Sequence, residues 1–569
     1  METKRFVLLD VDYVTRYGRP VIRLFGKILA ENRSIIARDP NFQPYLYLLP
    51  LEAEECMADL TEFNLQKIEK LRRKDNDGKL KDFLKVTLTH PREMLPLKKQ
   101  IQNLKSVQIV REYDIPYPQR YLIDKGLYPL SEVEVQGKVL KNSSHETCLL
   151  EIHKEPWPVK SSLPELNILS FKIETQGRAR LRTDPVILIG FSSNQGFQKV
   201  FSTTRSSSDL VETVQNEKEL LEKFVKTIES LNPDIITGYN SDKYDFPYLQ
   251  GRADLLGVEL NLGMDRSKLK FTTLPKKSAA ITGRVHIDLY RVVRRHLQLT
   301  EHTLQSVYRE LCSQEKMDVS LDQLPIYEDD EKLLRYSLED TRAISLIGEK
   351  MLPLVMEVAR LVGQSLFDVT RRGSGYQVEY LLMRKAYQYG YVVPNKFGTY
   401  LRDVVGGYVE EPVPGLHENI FYFDFRSLYP SIIVAKNISP DTLTEDDAVE
   451  CHVAPEFGYR FRKEPAGFIP RVTAQILKER IRIKAQMKET TDPVERQILD
   501  FRQQALKTFI STIYGLFNHS TYRWYSIEAS EAITAWGRDF LKKTMEDAEK
   551  HGFRVVYADT DGFYATLEK

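Results

Sequence analysis

YADTDGFYATL, residues 557–567, reads as a strand, a tight acidic turn and a returning strand. Phe553 to Ala558 is β-branched and aromatic, Asp559-Thr560-Asp561-Gly562 has turn chemistry, and Phe563 to Leu567 resumes a strand pattern, so the segment predicts a β-hairpin. Two carboxylates, Asp559 and Asp561, stand at its tip. An acidic turn alone is usually only solvated, so a metal-binding role needs a further ligand from elsewhere in the chain.

That ligand is sought in FYFDFRSLYPSIIVAKN, residues 421–437, where an apolar strand ends on Asp424 and runs into a polar turn. An aspartate in an aromatic run is expected to be buried, which is costly without a partner, and a divalent cation shared with Asp559 and Asp561 would supply one. These two stretches resemble motifs A and C of family B DNA polymerases, the archaeal branch in particular, and they occur in the family's order.

The chain has 569 residues, of which 28% are charged, too long for one core, so several domains are expected. Lysine plus arginine (81) nearly balances aspartate plus glutamate (80), so any contact with nucleic acid must come from local patches. Cys56, Cys148, Cys312 and Cys451 are scattered, which argues against a zinc site or disulfide framework and for a reducing, cytoplasmic setting. No signal peptide or apolar run of membrane length is legible, so no membrane partner is expected.

Residues 1–155 open with short strands rich in aromatics and prolines, which predict an α+β domain. The stretch resembles the template-scanning domain of archaeal polymerases. The resemblance implies a pocket for a deaminated template base, uracil, built from Tyr13, Pro44, Tyr45, Pro91, Met94, Pro116, Tyr117 and Arg120. Flat apolar walls suit a flipped base. Met94 stands where the family usually has a smaller valine. Residues 131 to 164, with NSSHE and EPWPVKSSLPE, read as an irregular connector.

NILSFKIETQ then predicts a buried strand with VILIGFSS as its hairpin partner. PDIITGYNSDKYDFPYL, residues 233–249, reads as a strand running into an acidic, aromatic turn. LLRYSLEDTRAISL, residues 333–346, predicts a helix with Tyr336 and Asp340 on one face. Together these resemble the three exonuclease motifs of proofreading polymerases, where four carboxylates hold two metals that activate water. The resemblance implies an exonuclease-type site of Glu174, Asp245, Tyr336 and Asp340. Where the family has aspartate this chain has Lys172. An ammonium there would pair with Glu174, Asp245 or Asp340 in place of a cation, so the fold is expected with weak or no activity. In VVGGYVEEP, the paired Gly406-Gly407 permits close backbone approach or unusual φ. Val404 stands where the family usually has tyrosine.

Residues 471–490 predict one helix, 490–493 a turn, and 494 to about 514 a second helix. Ten basic against five acidic side chains between 471 and 523 make this the local basic patch of a nearly neutral chain. The pair resembles the fingers, which implies that Arg480, Lys484 and Lys507 grip a nucleoside triphosphate and that Tyr514-Gly515 flank the nascent base pair. Ser511 replaces the family's usual asparagine among these nucleotide contacts. From motif A, the resemblance implies metal ligation by Asp424 and the Phe425 carbonyl, a phosphate cradle at Ser427 and Leu428, and a steric gate at Tyr429.

The fold expected is multidomain α/β and α+β with family B polymerase architecture. Its ranges are 1–155, N-terminal template-scanning domain; 156–351, RNase H-like exonuclease-type domain; 352–388, return to the N-terminal domain; 389–470, first part of the palm; 471–519, helical-hairpin fingers; and 520–569, second part of the palm, incomplete and with no thumb. The function expected is a DNA-directed DNA polymerase with Asp424, Asp559 and Asp561 as catalytic carboxylates and two Mg²⁺ as cofactors. Its partners would be primer-template DNA, dNTPs, a small thumb-bearing subunit as in the split polymerases of methanogenic archaea, and a sliding clamp reached through that subunit. The rivals are a non-catalytic DNA-binding relative, a nuclease-only protein, which Lys172 opposes, and a truncated chain.

Overall fold

The computed structural model describes the chain apart from residues 141–145, 160–163, 177–179, 207, 274–276, 315–329, 397, 399–403 and 568–569. It divides into two compact units, one of Met1–Phe42 with Tyr117–Arg372 and the other of Gln43–Pro116 with Gly373–Lys569. This division cuts across the expected 1–155 and 352–388 ranges. Among the described residues no helix is long and apolar enough to cross a membrane.

The first unit holds two six-stranded sheets. In the N-terminal one, Glu2–Arg16 pairs both with Arg19–Ile28 and with Glu132–Val139, which closes the sheet around Phe6, Leu8, Ile22, Leu24, Val133 and Leu150. Glu132–Val139, Thr147–Ile152 and Trp157–Val159 are strands of this sheet, so the irregular connector expected between 131 and 164 is corrected. Alternation of buried and half-buried positions in EVEVQGKV is the signal that reading passed over. The NSS and KSSL parts of that stretch lie outside the described residues.

The second sheet carries the exonuclease-type motifs. Ile168–Thr175 pairs antiparallel with Val186–Ser193, as the sequence predicts, and parallel with Ile235–Gly238. Phe171, Ile189, Phe191, Phe224 and Phe246 fill the layer between this sheet and the helices Glu217–Leu231 and Asp245–Leu256. On the other face lies the long helix Asp330–Val362. Gly190 lets it come close: a Cβ there would stand 2.8 Å from Thr341 Cγ2 and 2.9 Å from Ser337 Oγ. Since Gly190 is the register partner of Lys172, this approach brings the helix to the strand that carries Lys172 and Glu174.

In the second unit, residues 43–116 form a β-α-β-β-α-β module with an all-antiparallel sheet in the order Lys67–Lys74, Leu80–Thr87, Tyr45–Pro50, Val107–Arg111. It belongs to this unit through specific polar links. Asn395 Nδ2 donates to Val110 O at 2.8 Å, and the Val393 amide donates to Glu112 Oε1 at 2.6 Å.

The remainder is built on an antiparallel sheet in the order Val409–Glu410, Phe553–Asp559, Gly562–Leu567, Ile420–Asp424. Its one face packs on the helix Ile527–Lys550. The hairpin expected at 553–567 is present. Two antiparallel-connected helices follow the basic segment, Phe468–Glu489 and Pro493–Asn518, the second started by Asp492, whose side chain accepts from the Val494 amide. The first begins three residues earlier than the sequence predicts, and the second ends four later. Phe468, Ile469 and Val472 at one end and Leu516 and Phe517 at the other are buried, and this packing extends both helices past their local signals.

Candidate active site

The acidic turn is set by backbone contacts. Thr560 adopts a left-handed φ of 56°, unusual for a β-branched residue, and its amide donates to Tyr408 O at 2.8 Å. Gly407 makes room for it, since a Cβ there would meet Thr560 Oγ1 at 2.8 Å. The close approach anticipated for the glycine pair therefore belongs to Gly407, while Gly406 has nothing within 4 Å of its Cβ direction.

The same turn is joined to the strand carrying Asp424. Asp424 is in register with Gly562, and the Phe425 amide donates to Asp561 O at 2.8 Å. Burial pushes the Asp561 carboxyl above its ordinary range, and the like charges of Asp424 and Asp559 add to it. Tyr422 donates to Asp424 and Tyr557 to Asp559, both at 3.3 Å, and Thr560 Oγ1 donates to Asp559 at 2.8 Å.

One expectation is corrected: Asp424 is exposed, as are Phe421, Tyr422 and Phe423 along the same edge strand. Burial therefore does not oblige Asp424 to find a partner; mutual repulsion among three carboxylates is what favours a cation there. Hard oxygen donors and surplus negative charge fit a divalent metal. Yet among the described residues no group of three or more His, Cys, Asp or Glu side chains converges to hold one.

Past Asp424 the chain gathers positive charge. Arg480 Nε is buried with no hydrogen-bond partner, and burial, with Arg426 adding, holds that guanidinium below its usual range. Lys484 is held down chiefly by Arg480, and Arg426, Lys488 and Lys507 contribute. Cations that depress one another without compensating acids form an anion site. Arg426 belongs to this cluster and was missed from sequence, although it follows the motif aspartate by two positions. Ser511 is exposed and its hydroxyl donates to Lys507 O at 3.0 Å, turned onto its own helix.

Tyr429 stands within electrostatic reach of Asp561 and Asp559. Its ring lies 4.8 Å from that of Tyr514, tilted by 48°. Ser427 precedes the helix Leu428–Ala435 with a left-handed φ of 56°, which presents successive amides at the helix start.

In the first unit, Lys172, Glu174, Asp245, Tyr336 and Asp340 come together as expected. Burial alone would lower the Lys172 ammonium, but Glu174, Asp245 and Asp340, with Tyr336, outweigh it and keep it protonated well above the ordinary lysine value. Asp245 opens its helix, is 1% exposed and accepts from the Ile173 amide at 3.3 Å. Burial raises its carboxyl, and Lys172 opposes that rise. Burial also raises the Tyr336 phenol, with Asp340 and Glu174 adding. Lys172 opens onto a cavity of ≈ 860 Å³ also lined by Tyr239, Lys243, Tyr244, Arg291 and Arg294. Rings interleaved with cations suit a single nucleic-acid strand.

The residues anticipated for a template-base pocket fall in both units. Tyr13 and Tyr117 meet edge-on at 5.2 Å, and the Tyr117 hydroxyl donates to Phe42 O at 2.5 Å; Arg120 lies on the same short helix. Pro44, Tyr45, Pro91, Met94 and Pro116 belong to the other unit, where Lys85 sits 3.9 Å over the Tyr45 ring and Met94 packs on the module's core.

In sequence and fold the chain is similar to known proteins. Residues 365–568 match the model of DNA polymerase family B, and residues 108–307 match that of the family B exonuclease domain. The DNA polymerases of Desulfurococcus sp. (strain Tok) and Thermococcus gorgonarius are each 37% identical over 584 residues, spanning 99% of this chain and 71% of theirs. The family B DNA polymerase structure from Pyrobaculum calidifontis superposes with a TM-score of 0.86 at 30% identity, covering 99% of this chain and 75% of that one.

Proposed function

Because the chain belongs to the archaeal branch of DNA polymerase family B and is a DNA-directed DNA polymerase, we propose that nucleotide addition is carried by the 559–561 turn, the strand 420–424 and the hairpin helices 468–518. The observation that carries this reading is the Phe425–Asp561 backbone bond, which ties the acidic turn to the strand that runs on into Arg426, whose charge in turn acts on Arg480 and Lys484.

Family B polymerases use divalent metal, generally Mg²⁺; here two ions would be held by Asp424, the Phe425 carbonyl and Asp561, with Asp559 alongside, supplying charge neutralisation and an activated primer hydroxyl when bound. Lys507, Arg480 and Lys484 orient the triphosphate, the amides of Ser427 and Leu428 cradle it, and Tyr514 flanks the new pair. Tyr429 excludes a ribose 2′-hydroxyl, and Ser511, turned to its own helix, leaves one nucleotide contact weaker. Lys507→Ala removes a charge-assisted contact worth about one to two decades. It is expected to raise the dNTP KM and lower kcat together in single-nucleotide incorporation, and an unchanged KM would remove Lys507 from the site.

The functional ranges follow the sequence reading, from 1–155 for template scanning to 520–569 for the second part of the palm. The exonuclease-type site is read as degenerate, supported by the Lys172 ammonium among Glu174, Asp245 and Asp340. Template-uracil sensing rests on the resemblance of residues 1–155 to the template-scanning domain of archaeal polymerases, and it predicts tighter binding of uracil-containing than of thymine-containing template. Equal affinities in a fluorescence-anisotropy titration would remove it.

A second polypeptide bearing a thumb, and through it a sliding clamp, is the partner proposed. Ile420, Tyr422 and Tyr564 leave an exposed sheet face beside the catalytic turn, with Phe421 and Phe423 exposed on the opposite side of the same edge strand, and such edges are ordinarily covered. With that partner, extension of a long primed template should tolerate salt better, because more phosphates are neutralised; equal product length without it would contradict this part of the reading.

A further inference from the structure

Gly537 stands in the interior of the buried helix Ile527–Lys550, with no left-handed φ to call for a glycine. An interior glycine weakens a helix relative to alanine, because backbone freedom is lost and no side chain is gained. Its use lies in what it leaves open. A Cβ there would sit 2.9 Å from Tyr429 Cε1, 3.7 Å from Tyr429 Cδ1 and 3.6 Å from Leu428 Cδ2.

Neither side of this contact yields easily. The Tyr429 ring is also packed on Tyr514, whose hydroxyl is reached by Ser530 Oγ of the same helix at 3.5 Å. The helix is anchored at the next residue: Arg538 Nε donates to Glu456 Oε1 at 3.0 Å and Nη1 to Val405 O at 3.1 Å, with a further bond to Gly406 O. Trp536 beside it is 4% exposed. Burial pushes the Tyr429 phenol up to about 12, with Tyr514 adding, Arg538 opposing and Asp561 and Asp559 adding, so the ring's polar end is within electrostatic reach of the acidic turn.

We propose that Gly537 is a specificity-determining position of the nucleotide site: the bare helix backbone there sets where the Tyr429 ring stands against the incoming sugar. Gly537 is a positioning residue that acts through Tyr429, and the inference rests on the reading of Tyr429 as the sugar gate. A methyl group at 537 pushes the ring off the helix and into the space of the sugar.

The test is a double-mutant cycle in single-nucleotide incorporation with dNTP and the matching rNTP. Gly537→Ala should raise the dNTP KM about tenfold, with kcat changed less, as for a misplaced positioning group. In the Tyr429→Val background, where the ring is gone, the same substitution should change the KM by less than about twofold. An unchanged KM for Gly537→Ala, or an equal penalty in both backgrounds, overturns the proposal. Tyr429→Val alone must relax the preference for dNTP over rNTP; if it does not, the gate reading fails instead and takes this inference with it. Where Gly537→Ala lowers the melting temperature, the cycle is read on that quantity too, and the proposal requires the loss to disappear when the ring is removed.

Discussion

Asp424→Ala and Asp561→Ala are each expected to cut template-directed nucleotide addition by about three orders of magnitude or more, since each removes a group worth several kcal/mol of transition-state charge stabilisation through the metal it holds. Binding of primer-template DNA should change little, because neither substitution removes a basic side chain. Stability supplies an independent readout. Asp424 and Asp559 raise the Asp561 carboxyl, so the fold carries a like-charge penalty that either substitution relieves. The melting temperature measured in a chelator should therefore stay the same or rise. Loss of activity with a lowered melting temperature would point to a damaged fold; substantial residual addition by either variant would sink the ligand assignment.

The second large effect concerns Lys172→Asp. In this chain one buried ammonium stands against the charges of Glu174, Asp245 and Asp340. The substitution replaces it by a fourth carboxylate, which restores the charge a pair of metal ions needs. Degradation of a mismatched primer from its 3′ end should then rise by about two orders of magnitude in Mg²⁺. The variant should also become metal-dependent in stability: four clustered acids destabilise it in chelator, and binding of Mg²⁺ to the folded state recovers the loss. The native chain should show no such dependence at this site. Equal degradation rates for native and variant proteins would mean that Lys172 does not disable the site.

Much of this was legible in the sequence because the signals are local. The 553–567 hairpin follows from β-branched runs around a turn, and Lys172 stands out because the resemblance to the exonuclease motifs implies a carboxylate at its position. The hairpin helices were placed to within a few residues, their ends being fixed by burial of Phe468 and Phe517 rather than by caps alone. What failed was tertiary. Asp424 lies in an aromatic run, but whether such a strand is buried depends on what covers its face, and here the face is open. Arg426 joins the cationic cluster through its approach to Arg480 and Lys484, residues far along the chain on another helix. The grouping of residues 43–116 with 373–569 likewise rests on distant links such as Arg523 to Asp114, at 2.9 Å, which no periodicity announces.

What remains to be tested is our proposal that this polymerase carries an exonuclease-type site disabled by its own Lys172. Its most direct test follows one labelled primer with a mismatched 3′ end, annealed to template in Mg²⁺, with and without dNTPs, and reads primer length in both directions over time. The account predicts lengthening when dNTPs are present and no shortening when they are absent. Shortening without dNTPs at a rate comparable to extension, or no lengthening with them, would contradict it.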